Sequence, residues 1–409
     1  MPRPAPWNCR LFKKIIQFMK ASFPLNPGAT LGLMGGGQLG RMFAQAAATL
    51  GYEVEVLEKG SCPTSEVCAC HIDAPYTDPG ALDAMRRTTA AVTTEFENVP
   101  AEALSALADG PDGCVTAPSA QAVSVAQDRL DEKTFLEMVA GVPVAPHAPV
   151  LSAEDADLLD ESLFPGILKT TRLGYDGKGQ RTVFNRDDVK RAFAEMGGKF
   201  CILEKRLPLK TEVSVIVARG LDGSAVTFPV FENHHKNGIL AETVVPARVP
   251  QAVADKARAY AEKIAHALEY RGVLCIEFFV LADDTLVANE MAPRPHNSGH
   301  ATIEACVTSQ FEEQVRAMTG MPLGPTDLVQ PAVMLNILGD VWFDADDKKR
   351  EPDWKSVLAV PGAKLHLYGK KDARHARKMG HVTCVGKTLD EALVCAKRVA
   401  AILGLPTPI

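Results

Sequence analysis

The sequence predicts an α/β unit on the N-terminal side, then an α+β unit, then a small strand-rich cap. Three observations point there. From Thr30, short apolar strands alternate with helical stretches, the grammar of a parallel sheet. From about 160 to 330, strand-like runs pair or alternate, with helical stretches interleaved. A glycine cluster, GGGQLG, stands where the first strand meets the first helix.

The elements follow in order. TLGLMG enters the cluster, a helix runs from about Leu39 to Leu50, and YEVEVLE and AVTTEFENVP are further strands. Ser119 can cap a helix reaching about Ala140, and Pro-rich text follows, so a domain boundary falls near Thr116–Ser119. The central strands are FPGILKTT, QRTVFN, FCILEKRL, TEVSVIVARG, SAVTFPVFEN, GVLCIEFFV and TLVANEMA, with helices from Arg186, Gln251 and Ala301. QPAVMLNILGD, the AKLHLYGKKDARHARKMGHVTCVG stretch and a helix from Asp390 to Leu403 make the cap. The expected divisions are a basic, disordered or dispensable extension over 1–28, then 29–118, 119–330 and 331–409. No acid precedes Glu53, and targeting by the extension is left open.

The chain has 409 residues, 46% of them hydrophobic, and a net charge of −6, which suits a globular protein acting on small molecules. No long basic run points to nucleic acid, and no apolar stretch approaches the roughly 20 residues that span a bilayer. Cysteines such as Cys201 and Cys275 sit in apolar runs, which suits a reducing cytoplasm. Cys62, Cys68, Cys70 and His71 cluster, but without the paired spacing of strong zinc motifs.

Several constellations carry chemistry. Gly35, Gly37 and Gly40 satisfy G-x-G-x-x-G and present N–H groups to an anion, with Glu58 ending the next strand as a ribose-binding acid would. A dinucleotide site and mere close strand-to-helix packing both remain open there. KTTRLGYDGKGQRTV, from Lys169 to Val183, is a glycine-rich turn able to fold over phosphates, but it is not a Walker A loop. If Asp283-Asp284 is a hairpin tip, Leu281 opposes Leu286 and Glu277 opposes Glu290; two facing carboxylates ask for a cation, with magnesium the natural candidate. Arg294 returns to that face if the strand continues. The strand ending at Glu204 and Leu207 suits a purine edge and a ribose, and Glu212 starts the next. APRPHNSGH places His296, Asn297 and His300 in a polar loop suited to hydrogen-bonding a substrate, and Lys370, Arg374, Arg377 and Lys378 form a basic cluster that is either a solvated face or a phosphate anchor.

GGGQLGRM, TTEFENVP, QDRLDEKTFL, GYDGKGQ, NEMAPRPHNSGH and ARKMGH, in that order, resemble the ATP-grasp enzymes, and within them the 5-(carboxyamino)imidazole ribonucleotide synthases of purine biosynthesis. The resemblance implies a Rossmann-like pre-ATP-grasp domain, an ATP-grasp domain and a small C-terminal domain. It implies a ligase that uses ATP and Mg2+ to activate bicarbonate as carboxyphosphate for the amine of aminoimidazole ribonucleotide, in a cytoplasmic homodimer. It assigns Arg129, Lys169, the loop Gly174, Tyr175, Asp176, Gly177, Lys178, Gly179 and Gln180, then Glu204, Lys205, Arg206, Leu207, Glu212, His235, Asn289 and Glu290 to ATP. Glu277 and Glu290 fall to magnesium. Gln38, Glu95, Tyr175, His296, Asn297, Lys370 and Arg377 fall to the ribonucleotide, with Asp176, Lys178 and Arg294 as catalytic groups. Ala292 stands where ATP-grasp enzymes in general carry an Asn, a departure this family shares, which leaves the number of magnesium ions open.

Overall fold

A computed structural model describes residues 23–174 and 179–409. Its first layer is a parallel sheet of β1 (Thr30–Met34), β2 (Glu53–Leu57), β3 (Cys70–Ile72), β4 (Ala91–Thr94) and β5 (Val115–Thr116), in the order β3-β2-β1-β4-β5. α1 (Gln38–Thr49), α2 (Pro79–Thr88) and α3 (Ala101–Ala108) connect the strands. β1 is buried along its whole length, as a central strand covered on both faces must be. The expected extension over 1–28 overlaps this layer. Leu25 is buried, its N–H donates to the Thr319 carbonyl at 2.8 Å, and its own carbonyl accepts the Tyr52 hydroxyl at 2.7 Å. Residues 1–22 lie outside the described residues.

Ser119 caps α4 (Ala120–Gln127), but one helix to Ala140 does not form. Asp128 turns extended and caps α5 (Arg129–Thr134), accepting the Leu130 N–H at 3.0 Å, and a widened turn over Phe135–Val139 follows. An Asp competes for backbone donors in this way, and the break puts Arg129 at the first turn of a new helix.

A four-stranded antiparallel sheet comes next: β6 (His147–Val150), β7 (Gly166–Thr170), β8 (Gln180–Val183) and β9 (Cys201–Lys205), in the order β6-β9-β7-β8, with α6 (Arg186–Glu195) against it. The largest sheet holds β10 (Leu209–Arg219), β11 (Ala225–Thr227), β12 (Phe231–Lys236), β13 (Ile239–Val245), β14 (Gly272–Leu281), β15 (Leu286–Ala292), β16 (Ala332–Leu338), β17 (Ala363–Leu367) and β18 (Lys378–Val385). Its order is β15-β14-β10-β12-β13-β16-β18-β17, with β11 beside β10. α7 (Gln251–Ala267) lays Ala257, Ala261 and Ile264 on β10 and β14, and α8 (Thr302–Ala305), α9 (Gln310–Thr319), α10 (Trp354–Leu358) and α11 (Leu389–Leu403) complete the chain.

Three elements depart from the sequence expectation. SAVTFPVFEN breaks at Pro229 into β11 and β12, since proline has no N–H for the ladder. The helix expected from Ala301 splits into α8 and α9, where Ser309 caps the second half by accepting the Glu312 N–H. β13 was not expected, and by pairing with β16 it carries the sheet past residue 330 into the C-terminal part. α9 also joins the layers. Its buried Gln314 donates to Thr93 Oγ1 and the Ala117 carbonyl, both at 3.0 Å, and accepts the Val273 N–H at 2.6 Å. Among the described residues no helix is long and apolar enough to cross a membrane.

Candidate active site

Between the four-stranded sheet and the β14–β15 end of the large sheet lies a cleft of about 380 Å³. Glu277 and Glu290 do face each other there. The tip differs from expectation, since Val280 rather than Leu281 opposes Leu286. Leu281 bonds to the Thr285 carbonyl, and Asp284 takes a left-handed φ of 63° in a three-residue turn. A bulge then inserts Asn289, which shifts the register by one residue and restores the Glu277–Glu290 pairing.

The charges around this pair are interlocked. Arg129 Nη1 lies 2.9 Å from Glu290 Oε2, and its Nη2 donates to the Gly174 carbonyl at 3.3 Å. Burial would raise the Glu290 pKa, but the Arg129 guanidinium outweighs it and keeps Glu290 well below the usual carboxylate range. Glu277 goes the other way, pushed up by burial and by the Glu290 charge. Like charges facing each other in a closed site favour one proton or one cation between them. Asn289 Oδ1 is buried with no hydrogen-bond partner among the described residues, and beside Glu290 on β15 it adds a third oxygen-bearing side chain to the pair. This all-oxygen set at the cleft floor fits magnesium.

On the opposite wall, Lys169 of β7 meets Glu204 of β9 at 3.0 Å, and wholly buried Lys133 meets the same carboxylate at 3.4 Å. Glu204 is therefore no free acceptor at the cleft edge, as the strand-end reading expected. It sits beneath the surface, neutralising two lysines, with only Oε1 unpartnered among the described residues. Glu212 and His235 pair at 3.0 Å on β10 and β12 and line the cleft beside Gln180. Lys205, Arg206 and Leu207 leave β9 at the cleft's side, where the N–H groups of Lys205 and Arg206 go to the Pro146 and Pro165 carbonyls. Tyr175, Asp176, Gly177 and Lys178 lie outside the described residues; Gly174 and Gly179 flank them, the latter at φ 72°.

Arg294 reaches the cleft although β15 ends at Ala292, and Glu97 holds it at 2.7 Å. His296 lies 3.4 Å from Glu277, and its Nδ1 shares a proton with Ser298 Oγ at 2.9 Å. Burial, reinforced by Arg294, holds the His296 imidazole well below its usual range, hence neutral. Both side-chain polar atoms of Asn297, which also lines the cleft, are buried without partners among the described residues, as befits a group awaiting a ligand. Glu97, Glu132 and Lys133 were not singled out from sequence. Lys133 alone had a signal, standing one turn after Arg129 on the same helix face.

The glycine turn is filled rather than open. Glu95 accepts the N–H groups of Gly37 at 2.5 Å and Gly40 at 2.9 Å, and Glu58 accepts that of Gly36 at 3.0 Å. The chain's own carboxylates thus occupy the anion site that a dinucleotide would need, so the packing alternative holds. Glu95 is consequently tied to the turn. Gln38 opens α1 beside it, and Lys370 of the C-terminal part lies within electrostatic reach of Glu95 and Arg377. Lys370 Nζ donates to the Lys378 carbonyl at 2.8 Å, and Arg377 to the Asp372 carbonyl at 2.7 Å. The cysteine cluster directs its donors to backbone instead of to a common point: Cys68 Sγ to the Cys70 carbonyl, His71 Nε2 to that of Glu58.

A nucleotide-sized cleft between a small antiparallel sheet and a larger one, floored by paired acids and walled by buried lysines, defines an ATP-grasp enzyme. The comparisons agree. The ATP-grasp domain model matches residues 136–311, the ribonucleotide synthetase preATP-grasp domain 28–127, and the phosphoribosylaminoimidazole carboxylase C-terminal domain 332–394. The N5-carboxyaminoimidazole ribonucleotide synthase of Brucella melitensis is 46% identical over 366 residues, 88% of this chain and 97% of that protein. The Staphylococcus aureus N5-carboxyaminoimidazole synthetase, solved with ADP, superposes with a TM-score of 0.84 at 38% identity over 94% of this chain and all 100% of its own. The Aspergillus clavatus N5-carboxyaminoimidazole synthase, solved with ADP and 5-aminoimidazole ribonucleotide, gives 0.82 at 30% identity over 92% and 98%. The chain belongs to the N5-carboxyaminoimidazole ribonucleotide synthase family, whose members are ATP-grasp ligases.

Proposed function

We propose that this chain carboxylates 5-aminoimidazole ribonucleotide with bicarbonate, hydrolysing ATP to ADP and phosphate, in purine biosynthesis. The observation that carries this is one cleft lined by Lys169 at its first end, then by the Glu277–Glu290 pair, with Arg294, His296 and Asn297 beside that pair and His296 3.4 Å from Glu277. ATP fits the first end, with Lys169 and Arg129 on its phosphates, Glu212 and His235 toward the ribose, and Glu204 to Leu207 along the adenine. Glu277, Glu290 and the Asn289 oxygen would hold magnesium, which supplies positive charge to the triphosphate oxygens. Positioning and charge stabilisation do most of the work of such a phosphoryl transfer. Arg294, fixed by Glu97, presents guanidinium N–H groups to bicarbonate or its phosphorylated form, while Asp176 and Lys178 serve the same step from the loop. The amine then takes the carboxyl group, either directly from carboxyphosphate or from carbon dioxide released in the site, giving up a proton as phosphate leaves. The family's homodimer and cytoplasmic setting belong to the same reading.

ADP release should require both bicarbonate and aminoimidazole ribonucleotide. Equal turnover with formate and glycinamide ribonucleotide would instead make this a formyl-transferring ligase.

Gln38, Glu95, Lys370 and Arg377 would hold the ribonucleotide, the two cations meeting its phosphate. Burial, and then the Arg377 charge, lower Lys370 to about 8. The ammonium is present below that pH and lost above it, so kcat/KM for the ribonucleotide should fall as pH rises through about 8, since that ratio reports groups of the free enzyme. Lys370→Met should remove this limb. A limb that survives in the variant assigns it to another group.

A further inference from the structure

Lys133 is wholly buried and Glu132 nearly so, yet neither lines up with any expected ligand. Both touch the backbone of β15, which is the edge strand of its sheet. Lys133 Nζ donates to the carbonyl of Asn289, the bulged residue, at 2.6 Å. Glu132 Oε1 accepts the Met291 N–H, also at 2.6 Å. Consecutive side chains of α5 thus bond the strand on either side of Glu290, continuing an outer edge that the backbone of Pro143 and Val144 meets at Ala288.

The bulge decides which way Glu290 points. Phe278 pairs with Ala288, so an unbroken ladder would set Asn289 opposite Glu277 and turn Glu290 to the other face. The extra residue places Glu290 opposite Glu277 instead. The outer edge of β15 is met at Ala288, whose N–H donates to the Pro143 carbonyl at 2.8 Å, and just past that residue a donor and an acceptor adjacent on a helix pin the bulge. That helix also carries Arg129, the ion-pair partner of Glu290.

We propose that Glu132 and Lys133 are positioning residues that lock the Asn289 bulge and thereby aim Glu290 at Glu277. The inference rests on the reading that this carboxylate pair holds magnesium. It goes beyond that reading by assigning the geometry of the pair to the backbone bonds of Glu132, at the cleft wall, and Lys133, beneath it.

The test is equilibrium binding of manganese, as a paramagnetic probe for magnesium, to the full chain with a non-hydrolysable ATP analogue. Glu132→Leu, which removes the Met291 bond, and Lys133→Met, which removes the Asn289 bond together with the ion pair to Glu204, should weaken manganese binding by about 10-fold or more, the range for residues that orient ligands. Glu132→Gln keeps an oxygen for the Met291 N–H and should stay within about threefold of wild type, below that range. A wild-type chain without a tight manganese site overturns the magnesium reading itself. If wild type binds manganese but Lys133→Met and Glu132→Leu bind it equally well, with only their melting temperatures lowered, the two residues are merely structural and the inference falls. Equal weakening in Glu132→Gln and Glu132→Leu also overturns it, because charge rather than the bulge bond would then be at work. A measurement needing no variant is amide hydrogen exchange in wild type. The Met291 N–H should be strongly protected despite its edge position, and exchange at the rate of an open amide overturns the lock.

Discussion

Glu290→Ala is expected to lower kcat for ADP release by about 10³-fold, equivalent to about 4 kcal/mol of transition-state stabilisation. Glu290 has two partners whose positions depend on it. Arg129 would lose the carboxylate 2.9 Å from its Nη1, and Glu277 would lose the charge that, after burial, raises its pKa. One carboxylate then remains where two held the cation, so the triphosphate loses charge neutralisation at the step where charge moves. Preorganised electrostatics of this kind are usually the largest single contribution to such a transfer. Glu290→Gln should be nearly as impaired, because it keeps shape and hydrogen bonding but not charge. Activity within about tenfold of wild type in the alanine variant, a loss of under about 1.4 kcal/mol, would show that the facing acids are not the metal site.

That pair was legible in the sequence through two offsets that cancel. A two-residue tip would give the Glu277–Glu290 opposition directly; the actual three-residue turn shifts the strands by one, and the bulge at Asn289 shifts them back. Turn chemistry and bulges are local backbone choices that a repeating pattern of apolar residues does not report, so the right pairing was reached with the wrong tip. The parallel N-terminal sheet was legible for the opposite reason: its short strands, such as the wholly buried β1 and β4, alternate with helical stretches, so local pattern and topology agree. Helix ends set by Asp128 and Ser309 were not read, because a capping side chain inside a periodic stretch looks like one more polar residue on its exposed face.

Contacts between distant segments were the least legible part of the site. Glu97 meets Arg294 across 197 positions, and Lys133 meets the Asn289 carbonyl across 156. Nothing in the spacing of either residue announces its partner. Glu204 shows the cost of reading a strand end alone. Its placement beside apolar neighbours suggested a purine edge, but not that its other oxygen would be the buried counter-charge that lets Lys133 and Lys169 stand in the wall of the cleft. Breaking such a buried pair from one side costs about 3–5 kcal/mol, because a charge is left without compensation.

Gly35→Ala should be among the most damaging single-methyl changes in the chain, and a comparison inside the same protein separates its two causes. Gly35 has φ of 102°, and a Cβ there would stand 2.4 Å from Glu95 Cγ and 3.1 Å from the Phe96 ring. Gly60 also has a positive φ, 81°, but a Cβ there meets nothing within 4 Å. Gly60→Ala should therefore cost only the backbone strain, about 1–2 kcal/mol. Gly35→Ala adds overpacking of about 1–3 kcal/mol, and pushing Glu95 away also forfeits its bonds to the Gly37 and Gly40 N–H groups. Hydrogen bonds to charged groups contribute about 1.5–3 kcal/mol each, so a total loss of about 4 kcal/mol or more in unfolding free energy is expected. Urea unfolding of both variants measures the difference, and equal losses would show that Glu95 yields without cost. If Glu95 holds the ribonucleotide as proposed, the same displacement should raise KM for it in Gly35→Ala and leave it unchanged in Gly60→Ala, because the glycine turn fixes the Glu95 carboxylate. A KM unchanged in Gly35→Ala would mean that the carboxylate serves the helix terminus alone, and that the glycine cluster supports the fold without shaping the substrate site.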